Sequence, residues 1–240
     1  MTDIEKLLYE SLKTLGIEIN ENQIKQFILY KDLLLEWNEK MNLTAITEDR
    51  DVIQKHFVDC VSIASKIDIP ENINVIDVGT GAGFPGIPVK IAFPKMNITL
   101  LDSLNKRINF LEEVVKDLGL ENVNCVHSRA EDGGQNLEYR EKYDMCISRA
   151  VANLAVLSEY CLPFVKVGGS FVSLKGPDVE EELKEGKKAI EKLGGEIVKT
   201  EKIAIPDSDI IHSLVIIKKV RQTPKQYPRK AGKVTKNPIK

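Results

Sequence analysis

Metal-ligand and disulfide chemistry have little to work with in this chain. The four cysteines, Cys60, Cys125, Cys146 and Cys161, form no Cys-x-x-Cys pair, and none of the three histidines stands at ligand spacing. No metal site or disulfide framework is expected, and the thiols read as small core residues. No apolar run approaches the roughly 20 residues that cross a bilayer. The opening residues Met1-Thr2-Asp3-Ile4-Glu5-Lys6 lack the basic-then-apolar design of a secretory signal. The expectation is a cytoplasmic protein with no membrane partner, and a monomer is the simplest reading. Overall charge is also small, at −2, yet residues 218–240 hold nine Lys or Arg and no acid, leaving −11 on the rest. That basic arm also carries Pro224, Pro228, Pro238 and Tyr227. A proline-punctuated cationic segment is not expected to build a core. It reads as an arm that lies on a polyanion and leaves any other site untouched.

What is abundant is ordinary globular material, 42% hydrophobic and 29% charged, with one dense cluster of glycines. The run Val75-Ile76-Asp77-Val78-Gly79-Thr80-Gly81-Ala82-Gly83-Phe84-Pro85-Gly86 reads as a buried strand closing on an acid, followed by a sharp turn into a helix. Pro85 and Pro88 suit the first turn of that helix, where amides are unpaired in any case. Backbone rather than side chain would approach a ligand at Gly79, Gly81 and Gly83. The same glycines satisfy a dinucleotide fingerprint, and Asp102, at the end of a second strand, is placed to accept hydrogen bonds from a ribose. NAD and S-adenosylmethionine both carry such a ribose. Asp77, just before the turn, tilts the balance toward S-adenosylmethionine, because an acid there suits a cationic sulfonium and ammonium better than a pyrophosphate.

Along the chain, residues 1–69 read as helical. Asn20 and Gln23 resemble a capping box, with Ile24, Phe27, Ile28, Leu34, Leu35 and Met41 near helical spacing. A further helix is expected from Asp49 to about Lys66, and Pro70 marks the boundary. Residues 70–220 alternate: strands at Asn74–Val78, Asn97–Leu101, Val123–Val126, Tyr143–Ala150 and Ser170–Leu174, with helices near 104–118, 153–162 and 179–193 between them. This alternation predicts a doubly wound, mostly parallel α/β sheet. Two strands, Gly195–Ile205 and His212–Val220, then follow with only a polar turn between them, so they form an antiparallel hairpin. Residues 221–240 form the basic arm. A dehydrogenase would need a separate substrate domain, for which no sequence remains.

Several motifs, in order along almost the whole chain, then carry a resemblance: Asn38-x-x-Met41-Asn42-Leu43-Thr44, His56-Phe57-x-Asp59, the glycine loop, Ser148-Arg149-Ala150-Val151-Ala152, Lys175-Gly176 and Tyr227-Pro228-Arg229-Lys230-x-Gly232. Together they resemble the RsmG (GidB) family. The resemblance implies a class I methyltransferase fold, a Rossmann-like seven-stranded sheet ending in an antiparallel hairpin and preceded by a helical extension. It implies S-adenosylmethionine as cofactor, and as reaction the methylation of N7 of a guanine in 16S ribosomal RNA near the decoding centre. It also implies roles: Gly79 and Phe84 at the methionine end of the cofactor, Asp102, Ser103 and Leu104 around its ribose and adenine, and Ala130 and Glu131 at the adenine edge.

Arg149 ends the fourth strand, where substrate meets methyl group, and is expected to bind the methionine carboxylate, clamp an RNA phosphate, or both. Guanine N7 carries a lone pair and no proton, so no essential acid or base is expected and catalysis would rest on positioning. His56 therefore reads as a helix-packing or RNA-contacting residue. Lys175, Arg229, Lys230 and Lys233 are expected on RNA phosphates, with the base stacked on Phe84 or Tyr227. Other readings stay open: a nicotinamide-dependent reductase, a non-catalytic RNA-binding assembly factor, and a small-molecule methyltransferase, against which only the basic arm speaks.

Overall fold

Hydrophobic alternation along the strands decides the architecture. In the computed structural model, which describes residues 1–149 and 152–239, Val75, Ile98, Leu100, Ile147 and Val172 face one core, while Ile76, Leu101, Cys146 and Phe171 face another. A sheet apolar on both faces must be covered on both, and here it is. The strands are β1 (Asn74–Val78), β2 (Asn97–Asp102), β3 (Val123–His127), β4 (Tyr143–Ser148), β5 (Val165–Lys175), β6 (Gly195–Ala204) and β7 (Ile211–Lys219). They form one seven-stranded sheet in the order β3-β2-β1-β4-β5-β7-β6. The first five run parallel, and β7 lies antiparallel to both β5 and β6. This is the expected sheet with its terminal hairpin. β5 starts at Val165 rather than at Ser170, because the strand continues through Gly168 and Gly169. The fourth strand stops at Ser148, and Ala150, at its expected end, lies outside the described residues.

The helices begin with α1 (Asp3–Thr14) and α2 (Glu21–Met41). α2 opens on the anticipated capping box: the Asn20 side chain accepts from the Gln23 amide at 3.0 Å, and the Gln23 side chain from the Asn20 amide at 2.8 Å. The helix expected from Asp49 is broken into α3 (Asp49–Val52), a π-helical turn (Ile53–Val58), α4 (Asp59–Val61) and a 3₁₀ turn (Ser62–Ser65). Such wide turns recur at functional sites, and this one carries His56. These helices share the first core with the sheet and with α5 (Gly86–Ala92) and α6 (Asn105–Asp117). The Gln23 side-chain Nε2 donates to the carbonyls of Ile91 and Ala92 at 2.7 and 3.0 Å, and the Trp37 indole to Glu113 at 2.8 Å. No described helix is long and apolar enough to cross a membrane.

The second core is closed by α7 (Ala130–Gly133), α8 (Leu154–Cys161) and α9 (Glu180–Lys192). It is also closed by the basic arm, and here the sequence expectation is corrected. Tyr227, Val234 and Ile239 are 5%, 0% and 7% exposed, and α10 (Lys233–Lys236) forms within the segment. Three spaced apolar anchors suffice because Arg140 supplies the missing hydrogen bonds. Its guanidinium donates to the carbonyls of Gly134 and Tyr227, both at 2.7 Å, and of Thr223 at 2.8 Å. Replacing Tyr227 with Ala is thus expected to lower the unfolding free energy by about 3 kcal/mol in urea titration, the usual scale for truncating a buried aromatic. A loose tail would leave the titration unmoved.

Candidate functional site

The chain runs outward through β1, β2 and β3 and then returns to place β4 beside β1, so a crevice opens at the carboxyl ends of β1 and β4. Ligands of open α/β sheets bind at such reversals. The turn after β1 is shaped by Asp77, fully buried, whose Oδ2 accepts from the Thr80 hydroxyl at 2.7 Å and from the Gly86 amide at 2.8 Å. Gly86 must lack a side chain there: a Cβ would lie 2.8 Å from Asp77 Oδ2 and 2.5 Å from Leu100. Asp77 thus has one oxygen engaged within the loop that it shapes. Burial pushes its pKa up to about 7, against the pull of the Thr80 and Gly86 hydrogen bonds.

Asp102, 3% exposed at the end of β2, joins two loops. It accepts from the Gly81 amide at 2.9 Å and from the Leu104 amide at 2.9 Å, with Arg107 3.4 Å away. A cavity of about 330 Å³ opens beside it, bordered by Gly79, Asp102, Ser103, Ala130, Glu131 and Leu157. Five of the eleven sequence-predicted cofactor residues, Gly79, Asp102, Ser103, Ala130 and Glu131, thus meet around this cavity. Leu104 lies outside that lining and is 52% exposed, while Gly83 is buried in the turn with Tyr30 and Ile87 against it. Arg107, Arg129 and Tyr160 also border the cavity and had no signal in spacing.

A larger cavity, about 620 Å³, lies at the ends of β4 and β5, bordered among others by His56, Asp59, Arg149, Lys175 and His212. Arg149 organises it. Its guanidinium donates to the Lys55 carbonyl and to Asp59 Oδ2, both at 3.0 Å, and to His56 Nδ1 at 3.1 Å, while lying 4.7 Å from the centre of the Phe84 ring. An arginine can only donate, so His56 Nδ1 must accept and Nε2 carries the proton. That proton goes to the Thr44 hydroxyl at 2.8 Å. Burial, reinforced by the Arg149 charge, lowers the His56 pKa to about 4, so the imidazole is neutral. The other Asp59 oxygen meets His212. Asp59 and His212 were missed as site residues because their pairing is made by topology: β7 is antiparallel, so its amino end arrives at the edge where the parallel strands finish.

Several RNA-contact expectations need correction. Lys175 is 4% exposed along its side chain, pairs with Glu182 at 2.8 Å and donates to the Ala152 carbonyl at 2.8 Å. Arg229 is held by Glu159 through its backbone amide, Nε and Nη2, at 2.6 to 2.8 Å. His56 is 8% exposed. Buried charges need partners, and Lys175 and Arg229 have found theirs within the protein. Lys230 and Lys233 remain exposed, as do Lys55 and Arg129. Neither proposed stacking platform is open, since Phe84 is 8% exposed with His56 stacked on it at 4.4 Å, and Tyr227 is 5% exposed.

Comparison with known proteins agrees with this geometry. The GidB family model, described as rRNA small subunit methyltransferase G, matches residues 23–211. Ribosomal RNA small subunit methyltransferase G of Alkaliphilus oremlandii is 57% identical over 238 residues, 99% of this chain and 100% of the relative. The protein of the same name from Alkaliphilus metalliredigens is 56% identical over 234 residues, 98% of each. Among solved structures, a SAM dependent methyltransferase from Aquifex aeolicus shares the fold, with a TM-score of 0.52 at 20% identity over 70% of this chain and 92% of that one. The match of the family model and the identity of more than half the residues over almost the whole chain place this protein in the rRNA small subunit methyltransferase G family.

Proposed function

We propose that the protein transfers the methyl group of S-adenosylmethionine to N7 of a guanine in 16S ribosomal RNA near the decoding centre, working on the small subunit or its RNA in the cytoplasm. The observation that carries the mechanism is the state of His56 and Asp59, the groups beside Arg149 that could move a proton. His56 is neutral with both ring nitrogens hydrogen-bonded, and both Asp59 oxygens are engaged by Arg149 and His212. A site so arranged suits an acceptor that needs no deprotonation, and guanine N7 is such an acceptor.

The residues bordering the smaller cavity fit the cofactor. A volume of about 330 Å³ lies within the range of small-molecule sites. Gly79, at φ +73°, presents backbone to open space, since a Cβ built there meets no protein atom within 4 Å. Asp102 has lone pairs left for ribose hydroxyls. The Ala130 amide, unpaired at a helix start, and the Glu131 carboxylate supply the donor and acceptor that an adenine edge requires. The bound cofactor supplies an electrophilic methyl group on a sulfonium. Arg149, bonded to Asp59 and lying over the Phe84 ring, borders the larger cavity, where a fixed guanidinium suits holding the acceptor nitrogen near attack distance. The larger cavity is bordered by three carboxylates, Asp59, Asp178 and Glu182, and three cations, Lys55, Arg149 and Lys175, with Asp59 paired to Arg149 and Glu182 to Lys175. The exposed Lys55, Lys230 and Lys233 suit phosphates, which orient RNA without reading its sequence.

Labelled S-adenosylmethionine incubated with small subunits from cells lacking the protein is expected to yield 7-methylguanosine in the 16S RNA, identified by mass spectrometry. Label on another nucleoside, or on none, would refute the assignment. Gly79→Ala is expected to weaken cofactor binding about tenfold or more in calorimetry, while strain at positive φ lowers stability by only about 1–2 kcal/mol. Unchanged affinity would mean that the space beside Gly79 is not where the cofactor lies.

A further inference from the structure

The segment 221–239 touches the back of the walls that border the smaller cavity. Glu159, fully buried on α8, lies between Leu157 and Tyr160, both of which border that cavity. Its carboxylate is neutralised from one place only among the described residues, Arg229, which contributes a planar two-point fork at 2.8 and 2.6 Å and its own backbone amide at 2.8 Å. An adjacent contact reaches α7. Pro228 is seated against Gly134, where an added Cβ would lie 2.8 Å from the proline ring, and the Gln135 side chain donates to the carbonyls of Lys225 and Pro228 at 3.1 and 3.0 Å. The Arg140 guanidinium spans the same junction, bonded at once to the Gly134 carbonyl and to the segment.

α7 is only four residues long. One helical turn gains too few hydrogen bonds to hold itself, so its position depends on what it is packed against. Its leading residues, Ala130 and Glu131, are the ones that face the cavity. We propose that residues 221–239 are a brace that sets cofactor affinity, with Arg229, Pro228 and Arg140 as positioning residues acting through α7 and α8. The inference rests on the smaller cavity being the S-adenosylmethionine site. It reverses the expectation that the basic segment leaves that site untouched. It also gives Arg229 a role distinct from its exposed neighbour Lys230: one holds the cofactor wall, the other faces outward.

The test is calorimetric titration of S-adenosylmethionine into the full-length wild type, Arg229→Ala and Gln135→Ala, below their unfolding transitions and without RNA. Arg229→Ala is expected to bind about tenfold more weakly, within the usual range for coupled sites. Its KM for the cofactor rises by the same factor, with kcat at saturation unchanged. Arg229→Lys, which restores charge without the fork, recovers part of the loss. Hydrogen exchange in the ligand-free Arg229→Ala protein is expected to quicken at amides 130–134. Gln135 is exposed, so its removal spares folding and loosens the same junction by a smaller factor. Folded Arg229→Ala binding as tightly as wild type overturns the brace, and if that variant fails to fold, unchanged affinity in Gln135→Ala overturns it equally. Wild type that binds no S-adenosylmethionine overturns instead the reading of the cavity.

Discussion

The ion pair between Arg149 and Asp59 holds the site together. Asp59 comes from the helical extension and Arg149 from the end of β4, so the pair fastens the helices over the carboxyl edge of the sheet. Asp59 is 1% exposed, and a carboxylate at that depth is sustained only by full engagement, here Arg149 on one oxygen and His212 on the other. The same guanidinium sets the His56 tautomer and reinforces the burial that keeps the imidazole neutral. One interaction thus fixes position and protonation together, and the site becomes suited to chemistry that needs the first and dispenses with proton transfer.

On α8 a second buried ion pair, Glu159 with Arg229, ties in the C-terminal segment. Both pairs join a sheet-domain element to a segment outside the 70–220 span, one N-terminal and one C-terminal. The larger cavity is therefore walled partly by the N-terminal segment, through Lys55, His56 and Asp59, while the C-terminal segment packs behind the α8 residues that border the smaller one. The methyltransferase sheet supplies the turn and Asp102, and the flanking segments shape the surroundings.

What could be read in the sequence was local or periodic. The strands announced themselves by alternation, α2 by its Asn20–Gln23 box, and the turn by its glycines; the hairpin followed from two strands with no helix between them. The motifs carried the family and pointed to Ala130 and Glu131, which border the smaller cavity. Long-range pairing was not legible. Nothing near His212 indicates that antiparallel pairing of β7 delivers it to Asp59. The charge of Lys175 and Arg229 suggested phosphate contacts because their partners, Glu182 and Glu159, are distant in sequence for Arg229 and hidden in a helical acidic run for Lys175. The arm was misjudged for a related reason: its composition is that of a tail, and the side chains that satisfy its carbonyls, Arg140 and Gln135, lie far from it in sequence.

The central claim, that positioning by Arg149 suffices and His56 is no base, is tested most directly by single-turnover methyl transfer to the small subunit across pH, comparing wild type with His56→Gln. Parallel pH profiles with rates within about tenfold of each other are the predicted result. An ionisation present in wild type and lost in the variant, with a fall of about 10²-fold or more at normal cofactor and subunit binding, would contradict it.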